Sequence, residues 1–373
     1  MAREQFLERV VFSLGDPMLK SSLKGNQRLL ALGLVFAVGA MSAALVALGN
    51  PGNMGLCGAC FLRDIAGSLG MFTGGGPRIY RPEIFGLFLG AALWVALRGR
   101  FEARSGSHAA ARWFFGVWMG IGALVVLGCP FRMLQRVGGG DLNAVVALLG
   151  FLPGVGVGLF FERRGYRVGK TAVVHHGVGL LGLATMTLIF ALFAFGKLQG
   201  PGPSVTGAPA HAIWWAALGI AVVAGAILSA TRFCAISAAR QVFGGERLML
   251  IAALTMILGY GVVALATGNF VSGFDGQPVA HSDHLWSALA MFLIGLCGCL
   301  AGGCPVRQVV MVGEGNGDAL CSVVGIAMGG ALAHSLGIAA SLQGTTELGR
   351  VAVAVGIALA LAYGFYASSR SGA

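Results

Sequence analysis

Long apolar stretches alternate with short polar segments along almost the whole chain. A helix needs about 20 mostly apolar residues to cross a hydrocarbon core about 30 Å thick, and the stretches approach or reach that length. They lie at 29–49, 82–98, 112–128, 142–161, 178–196, 212–230, 247–267, 285–303, 318–340 and 349–367. The pattern predicts an all-α polytopic membrane protein with about ten membrane-spanning helices.

Composition supports this fold class. Apolar residues make up 57% of the 373 residues, charged residues only 10%, and the mean hydropathy is +0.82. Soluble proteins carry about 25% charged residues, so a soluble enzyme is excluded. The net charge of +11 is spread over short loops and forms no basic domain. We therefore expect the lipid bilayer as a partner and no nucleic acid.

A cysteine motif occurs in each half of the chain. Gly-Cys-Pro-Phe-Arg at 128–132 returns as Gly-Cys-Pro-Val-Arg at 303–307, a displacement of 175 residues. A second landmark is displaced by 177 residues, because Cys57, Cys60 and Arg63 are spaced like Cys234, Ser237 and Arg240. Two landmarks moved by nearly the same interval indicate an internal duplication.

The duplication predicts two inverted repeats. Each half has five predicted spans, and because five is odd, the second copy enters the membrane from the opposite side. The first transmembrane repeat is 29–196 and the second is 212–373, joined by a Pro- and Gly-rich periplasmic linker at 197–211. Residues 1–28 have an amphipathic, basic pattern and are predicted to form a cytoplasmic N-terminal segment.

Loop charge predicts the orientation. Most of the 25 Lys and Arg residues fall in segments on one side of the ten spans, including 1–28, 98–112 and 163–170. Under the positive-inside rule, this side is cytoplasmic and both termini lie there. We expect a multi-pass protein of the bacterial inner membrane.

The cysteine motifs interrupt the apolar pattern with Gly, Pro and Arg. Cys57 and Cys234 each lie between the first and second spans of a repeat, in a stretch too long and too polar for a turn and too short to cross, so we expect short re-entrant helices there. Cys129 and Cys304 each follow the third span of a repeat. Backbone that is not helical at membrane depth must line a buried or watery cavity, since lipid cannot satisfy its N–H and C=O groups. The four motifs should therefore meet at a central pathway.

The chemistry of these motifs favours a soft anion. Proline suits the first position of a helix and cysteine the cap before it, which leaves N–H groups pointing at the thiol. Arginine in the same helix adds positive charge near the thiol. The predicted substrate pathway comprises Cys57, Cys60, Cys129, Cys234, Cys304, Arg63, Arg132, Arg240 and Arg307. We predict no catalytic residue, metal or cofactor.

Structural roles are the alternative for these residues. A cysteine in a membrane helix is commonly a small packing residue. Cys60 is matched by Ser237, so it is either a functional addition or packing. The arginines can instead hold helix ends by binding their carbonyl groups. Asp64 and Asp141, near two of the motifs, are expected to pair with arginines rather than to carry protons.

These motifs resemble those of the YeeE/YedE family of membrane sulfur-compound transporters, over roughly residues 30 to 340. The resemblance implies inverted repeats with short re-entrant helices that meet in an hourglass, and a thiosulfate route along pore cysteines. By motif match, the thiol relay falls on Cys57, Cys129, Cys234 and Cys304. The chain length and the Cys57/Cys60 pair are more similar to the YedE branch, which is assigned to selenium transport. Members also work beside small cytoplasmic sulfur-carrier proteins, which implies such a partner.

The sequence therefore predicts an inner-membrane transporter or channel for a small sulfur- or selenium-containing anion. A selenium compound is favoured and a thiosulfate-like anion comes next. The alternative is a membrane thiol oxidoreductase in which Cys57 and Cys60 form a redox pair that passes electrons to a quinone. A scaffold or chaperone for selenium or sulfur enzymes ranks last, because it leaves the pore motifs without a task.

Overall fold

The fold is almost entirely helical in the computed structural model, which describes residues 25–169, 171–201, 211–245 and 247–370. Most of the predicted amphipathic segment at 1–28 and most of the predicted linker at 197–211 lie outside the described residues, and residues 25–28 form the start of the first described helix.

In the described part of the first half there are seven helices, two of them short. They are α1 (Gly25–Ala47), α2 (Gly58–Ser68), α3 (Pro82–Leu97), α4 (Ala109–Val125), α5 (Pro130–Gly138), α6 (Leu142–Arg163) and α7 (His176–Ala194). Strands β1 (Arg104–Ser105) and β2 (Ala172–Val173) pair antiparallel between two loops of this half. α2 and α5 are the short helices, and each follows a cysteine.

The second half repeats this order of long and short helices. Its members are α8 (Trp214–Thr231), α9 (Ala235–Arg240), α10 (Leu248–Ala266), α11 (His284–Ala301), α12 (Pro305–Gly313), α13 (Gly317–Ser335) and α14 (Glu347–Arg370). A 3-10 turn at Gln241–Phe243 continues α9. α8 therefore corresponds to α1, and each later helix to its counterpart in the first half.

An apolar helix lies at each of the ten predicted positions. In the part of the chain that the structure describes, nine segments are long and apolar enough to cross a bilayer, three of them counted together with the short helix that follows. The tenth predicted span is α3, whose 16 residues extend about 24 Å. The prediction of an all-α polytopic membrane protein is confirmed. The inverted arrangement of its two repeats in the bilayer stays a prediction.

The most extensive helix contacts join the two halves. They are α3 with α8, α4 with α13, α6 with α11, and α1 with α10. If each helix is replaced by its counterpart in the other half, the α1–α10 contact becomes the α8–α3 contact, and the α4–α13 contact becomes the α11–α6 contact. The two halves therefore interlock through a symmetric set of contacts, and neither buries its helices alone.

Glycine allows these helices to approach closely. A Cβ atom at Gly39 in α1 would lie 2.1 Å from the carbonyl oxygen of Met256, and one at Gly225 in α8 would lie 2.2 Å from that of Leu87. The α6–α11 crossing has the same feature, because a Cβ at Gly150 would lie 1.9 Å from a backbone oxygen. Backbone contact through small residues is a usual way to pack membrane helices. It accounts for much of the use of 62 glycines in this chain.

Candidate functional site

Four cysteines cap the four short helices. Cys57 precedes α2, Cys129 precedes α5, Cys234 precedes α9 and Cys304 precedes α12, each with extended backbone angles. Prolines occupy the first positions of α5 and α12, as the sequence predicts. No more than 3% of any of these four cysteines is exposed. We refer to Cys57, Cys129, Cys234 and Cys304 as the capping cluster.

Two sulfur contacts, one in each half, hold the capping cluster together. The Sγ atoms of Cys57 and Cys129 lie 3.6 Å apart, which joins the starts of α2 and α5 in the first half. In the second half, the backbone N–H of Cys304 donates to Cys234 Sγ at 3.4 Å. The two halves therefore form equivalent pairs from equivalent helices.

Further contacts join one pair to the other. Gly58, the first residue of α2, packs on the start of α12, where a Cβ at Gly58 would lie 2.6 Å from the backbone nitrogen of Val306. On the other side, the rings of Phe131 and Phe233 meet edge to face with centroids 6.1 Å apart. The four motifs therefore converge at one place, inside the interlocked halves.

Cys60 adds a third thiol to the pair of the first half. It lies one turn into α2, is buried, and interacts with Cys57. Its counterpart Ser237 occupies the same turn of α9. All eight cysteines of the chain are free in the structure. The first half therefore holds three neighbouring thiols where the second holds two thiols and a hydroxyl.

Arg132 binds backbone carbonyl groups rather than a carboxylate. Its guanidinium donates to the carbonyl oxygens of Asn53 at 2.9 Å, of Val279 at 3.2 Å, and of Leu127. All three residues have left-handed backbone angles, with φ of 53°, 51° and 55°. Residues other than glycine adopt this region at a cost, so Arg132 stabilises three unfavourable turns around the capping cluster. Arg132 therefore has the alternative, structural role that the sequence left open for the arginines, which is to bind backbone carbonyl groups.

The other three predicted arginines each contact a carboxylate. Arg63 Nε lies 2.5 Å from Asp64 Oδ1, and its guanidinium also contacts His334. Arg240 binds both oxygens of Glu162, with NH1 2.9 Å from Oε1.

Arg307 binds both oxygens of Glu314 at 2.9 and 2.8 Å. All four predicted arginines are therefore engaged by protein groups. A direct contact between any of them and an anion stays a prediction.

The two aspartates pair as expected. Asp64 is fully buried between Arg63 and Arg81, with Arg81 Nε 2.5 Å from its second oxygen. Asp141 lies 2.6 Å from Arg136 Nε and caps α6 by accepting from the backbone of Asn143. Both predictions of arginine pairing are confirmed. Asp64 and Asp141 are thus compensated where they are buried, which the membrane interior requires.

Sequence reasoning missed the buried amides beside the cysteines. Gln135 in α5 accepts from the backbone N–H groups of Gly55 at 3.0 Å and Leu56 at 3.2 Å, which fixes the segment that leads to Cys57. Gln308 in α12 donates to the carbonyl groups of Ala301 and Gly303. The sequence did contain a signal for these amides, because a glutamine follows each Cys-Pro pair by a few residues.

No family model matches the chain, and no curated protein matches it.

Proposed function

We propose that the protein is a membrane transporter or channel that passes a small sulfur- or selenium-containing anion along the capping cluster. The observation that carries this proposal is the meeting of four cysteine-capped short helices at one buried point between the halves. Such broken helices at the interface of two repeats are where membrane transporters bind their substrates.

Electrostatics favours an anion at this point. α2, α5 and α12 have 11, 9 and 9 residues, and each directs the positive end of its dipole toward the capping cluster. The backbone N–H groups of Gly58 and Arg132 also face the Cys129 sulfur. Oriented amides provide positive potential without a mobile cation. An anion is thereby attracted but is not bound by a free guanidinium.

Thiols favour a soft anion that moves on quickly. An S–H group is a weak donor, so it holds a passing anion less tightly than a hydroxyl or an ammonium does. Conduction needs binding that is strong enough for entry and weak enough for exit. Polarisable sulfur or selenium in the cargo suits a polarisable sulfur lining.

The finer assignments follow from the family resemblance. Similarity to the YedE branch favours a selenium compound, with a thiosulfate-like anion next. The same resemblance supports a bacterial inner membrane location with cytoplasmic termini, and a small cytoplasmic sulfur-carrier protein as a partner. We propose no enzymatic step and no cofactor for transport.

Flux through single-cysteine variants tests the proposal. The purified protein in lipid vesicles is expected to carry radiolabelled selenite or thiosulfate. Cys304→Ala and Cys129→Ala each remove one weak S–H donor to the anion, a bond worth about 0.5–1.5 kcal/mol, so flux should fall about two- to tenfold. Cys297→Ala is the matched control, because Cys297 is a fully buried cysteine of α11 outside the cluster.

The flux measurements distinguish three outcomes. Loss of flux in the two cluster variants with normal flux in Cys297→Ala supports the thiol route. Unchanged flux in both cluster variants, with folded protein by size-exclusion chromatography, would rule it out. Absence of flux in the wild type for both anions would refute the proposed function itself.

The 3.6 Å contact between the sulfurs of Cys57 and Cys129 supports one other function, a membrane thiol oxidoreductase. Cys57 also neighbours Cys60, the partner expected for a redox pair. Oxidation of two thiols to a disulfide would release two electrons and two protons, which a quinone would accept to form a quinol. Incubation with a quinone and mass spectrometry of alkylated peptides tests this function. Two unmodified cysteines appearing together with quinol would favour it over transport.

A further inference from the structure

A buried acid–base pair lies apart from the capping cluster. Glu83 is in the first turn of α3, and His211 lies shortly before α8. Their side chains are both 0% exposed, and His211 Nε2 lies 3.0 Å from Glu83 Oε1. Neither residue is used by the proposed anion route.

The geometry of this pair favours a shared proton. His211 Nδ1 lies 2.7 Å from the carbonyl oxygen of Ala212, and because a carbonyl can only accept, Nδ1 carries a hydrogen. Without a further proton, His211 Nε2 and Glu83 Oε1 would be two acceptor atoms 3.0 Å apart, which is unfavourable. One further proton, on Nε2 or on Glu83, removes this conflict.

The proton is not locked in place by its surroundings. Glu83 Oε2 and His211 Nε2 are buried and have no well-aligned hydrogen bond within the described parts of the chain. Among the described residues, the charged and titratable groups that face the pair are Arg81 and Tyr80, and Asp64 lies behind Arg81. Glu83 Oε2 and His211 Nε2 can therefore take up or release a proton without breaking an existing hydrogen bond.

One side chain connects this pair to the segment before Cys57. Asn50 Nδ2 donates to Glu83 Oε1 at 2.7 Å and to the carbonyl oxygen of Gly55 at 3.2 Å. The Asn50 Oδ1 atom accepts from the backbone of Ala212 at 3.2 Å, beside His211. A change of charge on Glu83 therefore alters a contact that holds the backbone two residues before Cys57.

The acid of this pair occurs in only one of the two equivalent helices. α10, the counterpart of α3, has no acidic residue in its first turn, where α3 carries Glu83. Other polar positions are duplicated, including the caps Asp141 of α6 and Asn316 of α13. A carboxylate present in α3 but not in α10 gives the two entrances of a symmetric route different responses to protons.

We propose that Glu83 and His211 form a proton-binding site that couples anion flux through the capping cluster to proton movement in the same direction. This inference rests on the proposed transport function. The proton binds to the pair from one aqueous side, accompanies the anion, and leaves on the other side. Only N–H or O–H bonds form and break, and the proton is supplied by water on the side of higher proton activity.

Accumulation in vesicles tests the coupling. The wild type in vesicles, with the membrane potential held at zero by potassium and valinomycin, should accumulate radiolabelled thiosulfate or selenite when the outside is one pH unit more acidic. One proton per anion drives about tenfold accumulation, because one pH unit is a tenfold ratio of proton activity. A pH dye trapped inside should report acidification during uptake.

Glu83→Gln should abolish accumulation while it keeps exchange of labelled for unlabelled anion, since exchange needs no net proton movement. Glu347→Gln is the control, because Glu347 is an exposed carboxylate at the start of α14. If Glu83→Gln does not fold, accumulation is measured in His211→Gln instead, and the pH dye in wild-type vesicles reports whether protons enter with the anion.

The outcomes separate the two proposals. Wild-type flux that neither responds to the pH gradient nor acidifies the vesicles would overturn the coupling and leave the transport function standing. Accumulation retained in Glu83→Gln would do the same for the assignment of the site. Absence of any flux or exchange in the wild type would overturn both proposals.

Discussion

Equivalent arginines of the two repeats have different partners, and the residue five positions earlier explains why. Leu127 and Gly302 precede Arg132 and Arg307 by the same interval, and both adopt left-handed angles, with φ of 55° and 84°. Glycine accepts this conformation without a penalty, whereas leucine does not. In the first half Arg132 binds the Leu127 carbonyl, whereas Arg307 pairs with Glu314. The same motif thus stabilises a turn in one half and compensates an acid in the other.

Arg132→Lys is expected to destabilise the protein by about 3 kcal/mol. A lysine ammonium cannot reach three separate carbonyl groups, so buried acceptors lose their donors at about 1–3 kcal/mol each. Arg104→Lys is the control, because the Arg104–Glu102 pair is 55% and 43% exposed and should contribute less than about 1 kcal/mol. Thermal unfolding in detergent would measure both. Equal melting temperatures for the two variants would contradict the role of Arg132.

At the scale of elements, close backbone contact holds the helices together. The α3–α8 crossing uses glycine from both helices, since a Cβ at Gly90 would lie 1.9 Å from the Val222 carbonyl oxygen and one at Gly225 would meet Leu87. Membrane helices gain little from apolar burial, because lipid is as apolar as leucine. Van der Waals contact between backbones therefore has to supply much of the association.

Gly225→Leu should separate α8 from α3 and destabilise the fold by about 3 kcal/mol, the upper part of the range for overpacking. Gly219→Leu on the same helix is the matched control, because a Cβ at Gly219 would meet no atom within 4 Å. Fluorescence-detected size-exclusion chromatography after a temperature series would rank the variants. Similar profiles for both would show that helix propensity, not close approach, decides the effect.

At the scale of the molecule, two loops in equivalent places test the inversion. The α3–α4 loop pairs with the start of α13 through Arg104 and Asn316, and the α10–α11 loop pairs with the start of α6 through Asp141 and Gly273. If the repeats are inverted, these two loops lie on opposite sides of the membrane.

Membrane-impermeant thiol reagents should label Asp275→Cys from the periplasm and His108→Cys only after permeabilisation. Both positions are exposed, and seven of the eight native cysteines are buried, so background labelling should be low. Labelling of both loops from one side would refute the inversion. Labelling of His108→Cys from outside alone would reverse the predicted orientation.

The sequence predicted the elements better than their partners. Helix starts at Pro130 and Pro305 follow from local chemistry, because proline fits the first helical position and cysteine precedes it. The partners of buried charges depend on which helices meet. Arg240 pairs with Glu162 of another helix, and Glu83 pairs with His211, which lies far along the chain. No local pattern encodes such pairs, so the sequence predicted cysteines at the helix starts but not the groups that compensate the arginines.

The interlocking of the halves has a consequence for biosynthesis. α4 ends at Val125, and its main partner α13 begins at Gly317, about 190 residues later. At about 5–20 residues per second, a ribosome needs about 10–40 s to supply the second helix after the first. During that interval the face of α4 that carries Gly116 and Gly120, which later packs on α13, must wait in the bilayer or beside the insertion machinery. The nascent first half is therefore the stage at which quality-control proteases have access to unpaired helices.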